Sequence, residues 1–197
     1  MTAPMQYKEV HSNTFRLIPS HFPPIALFEN LLDPTELDAA YALESLTNDR
    51  LQDQAGNIAL VTPEDRVSGS GTTAIMAAFT HTGIPSRFTD GRFGIYYAGL
   101  NLETALAESR FSRARFLQAT NEPPQILTMR CYTCEVQTQL VDLRADPQVH
   151  NPDSFAYAQV IGRQLKAQNE MGVLYNSVRH PSGECIAALR PKALTPP

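Results

Sequence analysis

Residues 93–120, FGIYYAGLNLETALAESRFSRARFLQAT, pass from one period of apolar residues to another, and that change organises the reading of the whole chain. FGIYYAG is short, aromatic and β-branched, and it predicts a strand. Tyr96 and Tyr97 then point to opposite faces, one into a core and one away from it. Asn101 is a helix-capping residue directly before a long run of good helix formers, so a helix is predicted to begin there, with Glu108 in its second turn.

Upstream, Gly83-Ile84-Pro85 breaks the chain, and TTAIMAAF (72–79) is too short for periodicity to choose between a buried helix and a strand. NTFRLIP (13–19) reads as a first strand, which the prolines of PSHFPPI (19–25) end. DPTELDAAYALESLTND (33–49) carries helix-start chemistry: Asp33 as cap, Pro34 at the first position and Glu36 three residues after the cap. Leu37, Ala40 and Tyr41 share its apolar face. VTPEDRVSGSG (61–71) has the composition of a loop. Downstream, QILTMRCYTCEV (125–136) and QLVDL (139–143) read as two strands. A helix is predicted across PDSFAYAQVIGRQLKAQ (152–168), with Tyr157, Ile161 and Leu165 on one face. GVLYNSV (172–178) and ECIAALRP (184–191) read as paired strands around the turn HPSG (180–183). Strands and helices mixed without regular alternation indicate an α+β fold with a mixed β core and flanking helices.

Length and charge narrow the function classes. A chain of 197 residues with 43% hydrophobic content can bury one full core. Its net charge is −4 and its lysines are Lys8, Lys166 and Lys192, which disfavours direct binding of a nucleic-acid backbone. No apolar run approaches the roughly 18 residues of a membrane span, and the expected location is the cytoplasm. Three cysteines make no disulfide framework. Cys131 and Cys134 lack a second pair or a nearby histidine to complete a zinc site, so packing as small buried residues is expected and no metal is predicted. Neither GxGxxG, a P-loop nor a GxSxG elbow occurs.

Arg87, Tyr97 and Glu108 recur at intervals of ten and eleven residues, and Ser177 follows far downstream. A guanidinium can hold a phosphate in fork geometry, a phenol ring can stack on a planar heterocycle, and a carboxylate can stabilise a developing positive charge. Together they suggest a site that cleaves a nucleotide. Plainer readings stand beside this one. Arg87 can pair weakly with Asp90 on the surface, with Arg92 as a rival for its role. Tyr97 can be an ordinary half-buried aromatic, and Glu108 can pair with Arg110 or Arg113.

The segments RFTDGRFGIYYAGLNLETALAES (87–109) and GVLYNSVRHPSGECIAALRP (172–191) resemble the RES-domain family, named for its arginine, glutamate and serine. The resemblance covers about residues 71–191 of a single domain that spans 1–197, and FRLIPS (15–20), with Arg16, is similar to the family's first strand. The family's usual Gly-Gly-Arg-Trp-Asn opening is Pro85-Ser86-Arg87-Phe88-Thr89 here. Residues 23–70 exceed the family core and read as an insertion serving partner binding or access to the site. Leu31, Leu32 and Ile58 could face a partner there, or pack in the core.

The resemblance implies a fold similar to ADP-ribosyltransferase toxins. It also implies NAD+ consumed as a substrate, with no recycled cofactor, and neutralisation by an antitoxin that carries a Xre-type DNA-binding domain. Glu108 would stabilise the oxocarbenium-like cation as nicotinamide leaves, and Arg87, with Arg16, would hold the pyrophosphate. Tyr97 would stack near the nicotinamide, and Ser177 would fix the ribose or amide. ADP-ribose would pass to a target protein or to water. A noncatalytic module that keeps the fold, or a ribonuclease-type toxin, are the alternatives.

Overall fold

The computed structural model describes residues 5–19, 56–121 and 123–195. The helix expected over 33–49, together with Leu31 and Leu32, lies outside them. Among the described residues the order is β1 (Tyr7–Pro19), α1 (Thr72–Thr80), β2 (Tyr96–Gly99), α2 (Leu102–Ala119), β3 (Met129–Asp142), α3 (Ala156–Ala167), β4 (Gly172–Asn176), β5 (Glu184–Ala188) and β6 (Leu194–Thr195). The fold is α+β, as its sequence indicates.

One mixed sheet organises it. The strand order is β1-β2-β5-β4-β3-β6, and β1 pairs with β3 as well as with β2, so five strands close on themselves. β3 and β4 run parallel at Val141↔Val173 and Asp142↔Leu174, whereas the other pairings are antiparallel. β4 and β5 form the expected pair around residues 180–183.

Residues 129–142 form one continuous strand instead of two. β1 begins at Tyr7, well before the strand expected from residue 13, and its register runs unbroken from Tyr7↔Val141 to Pro19↔Met129. The polar Gln137 and Thr138 between the two expected strands sit opposite His11 and Val10. Backbone pairing along the full length, not side-chain polarity, sets the extent of this strand.

The central strands are covered on both faces, which is why they read as unbroken apolar runs. Tyr96 and Ala98 of β2, Leu174 of β4, and Ile186 and Ala188 of β5 join one cluster with Ile75, Met76 and Phe79 of α1. Tyr97, Val173, Tyr175, Cys185 and Ala187 join a second cluster with Phe88, Val149, Ala158 and Leu165. The two tyrosines of β2 thus face opposite ways. Ile58 is buried in the first cluster, in line with its core-packing alternative.

Residues 72–80 resolve as helix. The loop-like stretch at 61–71 is less open than its composition suggests: a 3-10 turn at Pro63–Asp65 buries Asp65, which accepts from Arg190 and pairs with Lys192. In α3 the buried face is Ala158, Gly162 and Leu165, and Tyr157 is exposed. A Cβ at Gly162 would overlap the Phe88 carbonyl, so the helix seats against the 86–89 turn through a residue without a side chain. Cys134 is buried as expected, and Cys185 is buried too. Cys131 is exposed, because its position on β3 falls on the outward alternation.

Candidate active site

Glu108 and Ser177 meet directly. Asn101 caps α2, its side chain accepting from Thr104 N at 2.8 Å, and Glu108 follows on the helix one turn after Thr104. Ser177 follows the end of β4, on the same strand face as Val173 and Tyr175. Its hydroxyl donates to Glu108 Oε1 over 2.6 Å and accepts from the backbone N–H of Arg179 (3.1 Å) and of His180 (3.0 Å). A serine hydroxyl has one proton, and two N–H groups occupy its acceptor side, so that proton is directed to the carboxylate. Neither Arg110 nor Arg113 takes the place of Ser177 in this bond.

Arg87 and Tyr97 meet through the 86–89 turn. Tyr97 Oη accepts from Phe88 N (2.9 Å) and shares a hydrogen bond with Ser86 Oγ (2.8 Å). Burial pushes its phenol up to about 12, against the opposing pull of these two hydrogen bonds. It is therefore neutral in the ordinary pH range. Arg87 is 7% exposed. Its Nη1 donates to Val149 O (2.7 Å) and Asn151 O (3.0 Å), and its guanidinium lies 4.7 Å from the Phe155 ring centroid. This corrects the plainer reading of Arg87. The side chain is not a surface group paired with Asp90, which bonds Arg92 and Arg163 instead, and part of its hydrogen-bonding capacity is spent on the 147–151 turn. Arg92 has a 77% exposed side chain and lines a separate cavity of about 250 Å³ with Asp65, Lys166 and Arg190. That cavity shares no lining residue with the surroundings of Glu108.

Tyr175 joins the two halves. Its ring meets Phe88 edge-on, with centroids 5.1 Å apart, and burial drives its hydroxyl well above the ordinary tyrosine range. The charges of Glu108 and Arg87 and the phenol of Tyr97 all reach it. Cys185 beside it is likewise pushed up to about 12, first by burial and then by Glu108. The four expected residues thus surround one patch of the second core cluster. Arg16 reaches the same strand from the other side, donating to Tyr97 O at 3.1 Å and lying 4.8 Å from the Tyr96 ring centroid. Burial lowers its pKa, and its Nε is buried without a hydrogen-bond partner among the described residues.

Several contributors were not singled out from sequence. Arg179 stacks on Phe111, 3.4 Å from the ring centroid, and donates to Pro152 O at 2.8 Å. Burial lowers its pKa; Glu108 opposes that shift and Arg87 adds to it. Phe111, Ala114, Arg115 and Gln118 of α2 face Pro152 and Asp153 across an open groove of about 360 Å³. His150 donates from Nδ1 to Asp146 O (2.7 Å), which fixes its tautomer and lets Nε2 accept from Asn176 N (3.0 Å). Asn176 Nδ2 donates to Arg144 O, so this residue holds the strand end in place. The spacing of Tyr175 and Ser177, two residues apart on one strand, was a usable signal for Tyr175. His150 and Arg179 gave no comparable one.

A RES-domain family model matches residues 63–196. The chain belongs to the RES-domain family. A protein of Sinorhizobium fredii named "Uncharacterized protein y4oC" is 32% identical over 177 residues, covering 89% of this chain and 74% of that protein. Among solved structures, that of the M. tuberculosis MbcT-MbcA toxin-antitoxin complex superposes with a TM-score of 0.49 at 15% identity, covering 96% of this chain and 82% of that one. The RES match spans α1 to β6, and so includes Arg87, Tyr97, Glu108 and Ser177. None of the described helices is long and apolar enough to cross a membrane.

Proposed function

We propose that this RES domain breaks the bond between nicotinamide and ribose in NAD+, and passes ADP-ribose to a protein side chain or to water. The observation that carries the reading is the Glu108 carboxylate, held from one oxygen by Ser177 at 2.6 Å beside an arginine-rich, aromatic wall. As the glycosidic bond lengthens, the bonding pair leaves with nicotinamide and positive charge spreads over the ribose carbon and ring oxygen. A fixed carboxylate favours that charge more than it favours the ground state. The chemistry parallels glycoside cleavage, with its oxocarbenium-like transition state. Arg87 and Arg179 supply positive potential for the pyrophosphate. Tyr97, kept neutral, offers its ring beside the departing heterocycle.

On this reading the protein is a toxin, neutralised by an antitoxin with a Xre-type DNA-binding domain that covers the groove between α2 and residues 152–153. Its expected location is the cytoplasm, where NAD+ is available.

Incubating the purified chain with labelled NAD+, alone and with cell lysate, tests the proposal by chromatography and mass spectrometry. Free nicotinamide with free ADP-ribose identifies hydrolysis, and a labelled protein identifies transfer and its target. Intact NAD+ in both incubations contradicts the proposal.

A further inference from the structure

Glu108 is tied to more than Ser177. Thr104 and Glu108 stand four residues apart on α2, hence on one helix face, and the loop after β4 meets both of them. Ser177 takes Glu108, and His180 Nδ1 lies 2.8 Å from Thr104 Oγ1. His180 also gives its backbone N–H to Ser177 Oγ and its carbonyl to Gly183 N (3.0 Å). Gly183 O in turn accepts from Ser177 N at 2.8 Å. Thr104 is fully buried. A Cβ on Gly183 would overlap Thr104 Oγ1 and stand 2.8 Å from His180 Nδ1, so the glycine is what lets the loop close onto this pair.

One hydrogen bond between the loop and the helix would leave the loop free to rock about it, and the direction of the Ser177 hydroxyl would vary with that motion. A second bond, one helical turn away, removes the freedom. We propose that His180 is a positioning residue. Its ring, through Thr104, seats the 177–183 loop so that Ser177 meets Oε1 of Glu108 and leaves Oε2 to the substrate. His180 does not touch the reacting atoms. The kinetic part of this inference rests on the NAD+ reading, and the structural part does not.

The test compares the full-length wild type with His180→Ala, His180→Asn and Thr104→Val. Nicotinamide release is measured against NAD+ concentration, and amide hydrogen exchange across 177–183 is followed alongside a thermal melt. His180→Ala should lower kcat by roughly 10- to 100-fold, the range in which a small misplacement of a catalytic group acts, with KM nearly unchanged. His180→Asn, whose amide restores a hydrogen-bonding group near Nδ1, should recover most of the loss. Thr104→Val, which removes only the hydroxyl, should reproduce the fall in kcat, and it serves if His180→Ala does not fold. Exchange at the Arg179 and His180 amides should rise in the Ala and Val variants but not in Asn. Wild-type kcat in His180→Ala, a raised KM at constant kcat, or a folded His180→Asn as impaired as Ala would overturn the assignment. If the wild type releases no nicotinamide, the NAD+ reading fails on its own. The exchange data then decide, and unchanged protection in His180→Ala or Thr104→Val refutes the positioning role.

Discussion

Ser177 donates its single hydroxyl proton to Glu108 while two backbone N–H groups fill its acceptor side. The serine therefore holds and orients the carboxylate. Ser177→Ala should lower kcat for nicotinamide release by about 10² with a smaller change in KM, because a group that orients the transition-state carboxylate does little for ground-state binding. Steady-state kinetics check this. A variant that raises KM at unchanged kcat would mark Ser177 as a direct substrate contact instead.

Arg87 carries structural weight as well as charge. Removing it leaves the carbonyls of Val149 and Asn151 without their donor and opens space beneath Phe155. Hydrogen bonds to charged groups contribute about 1.5–3 kcal/mol each, so Arg87→Ala, which removes two, should destabilise the fold by about 3–6 kcal/mol in denaturant unfolding. An unchanged midpoint would show that the 147–151 turn does not depend on it.

Tyr97 holds the 86–89 turn, which carries Arg87. Tyr97→Phe keeps the ring and removes the acceptor for Phe88 N, and a buried amide left unpaired costs about 1–3 kcal/mol. The expected result is a lower thermal midpoint with the sheet intact by circular dichroism. Loss of nicotinamide release beyond that expected from unfolding would add a direct role for the hydroxyl.

His150 makes stability depend on pH. Burial lowers its pKa, Arg87 lowers it further, and the Asp146 carbonyl and charge oppose the shift. The folded state thus binds this proton less readily than the unfolded chain, whose histidines titrate near about 6.5. The neutral ring's contribution is complete above that value, and it falls away as pH drops from there toward the lower folded pKa, by at most about 1.4 kcal/mol per pH unit. Protonation also removes the Nε2 lone pair that accepts from Asn176 N. Urea unfolding between pH 7 and pH 5 should show this slope, and His150→Gln should flatten it. Equal slopes would refute the assignment.

The β2–α2 passage was readable because each signal in it is local: an aromatic strand, an asparagine cap and a helix that buries Thr104 and Ala105. Glu108 and Ser177 could be singled out by type and spacing, and the structure joins them. The true environment of Arg87 could not be read, because its partners lie more than sixty residues away on a turn with no distinctive composition. The length of β3 was hidden for a related reason, since its pairing partner sits near the N-terminus and tolerates polar residues at outward positions. Tyr157 misled the reading of α3 because the side that packs is set by Gly162 pressing on Phe88, a contact in which the absence of a side chain carries the information.

Nicotinamide release by wild type and Glu108→Gln, measured side by side at equal folded concentration, probes the carboxylate without altering its shape. The wild type should release nicotinamide from NAD+, and Glu108→Gln should fall at least about 10²- to 10³-fold below it with its thermal midpoint nearly unchanged. Turnover by the folded Glu108→Gln variant at the wild-type rate would contradict the central role of this carboxylate.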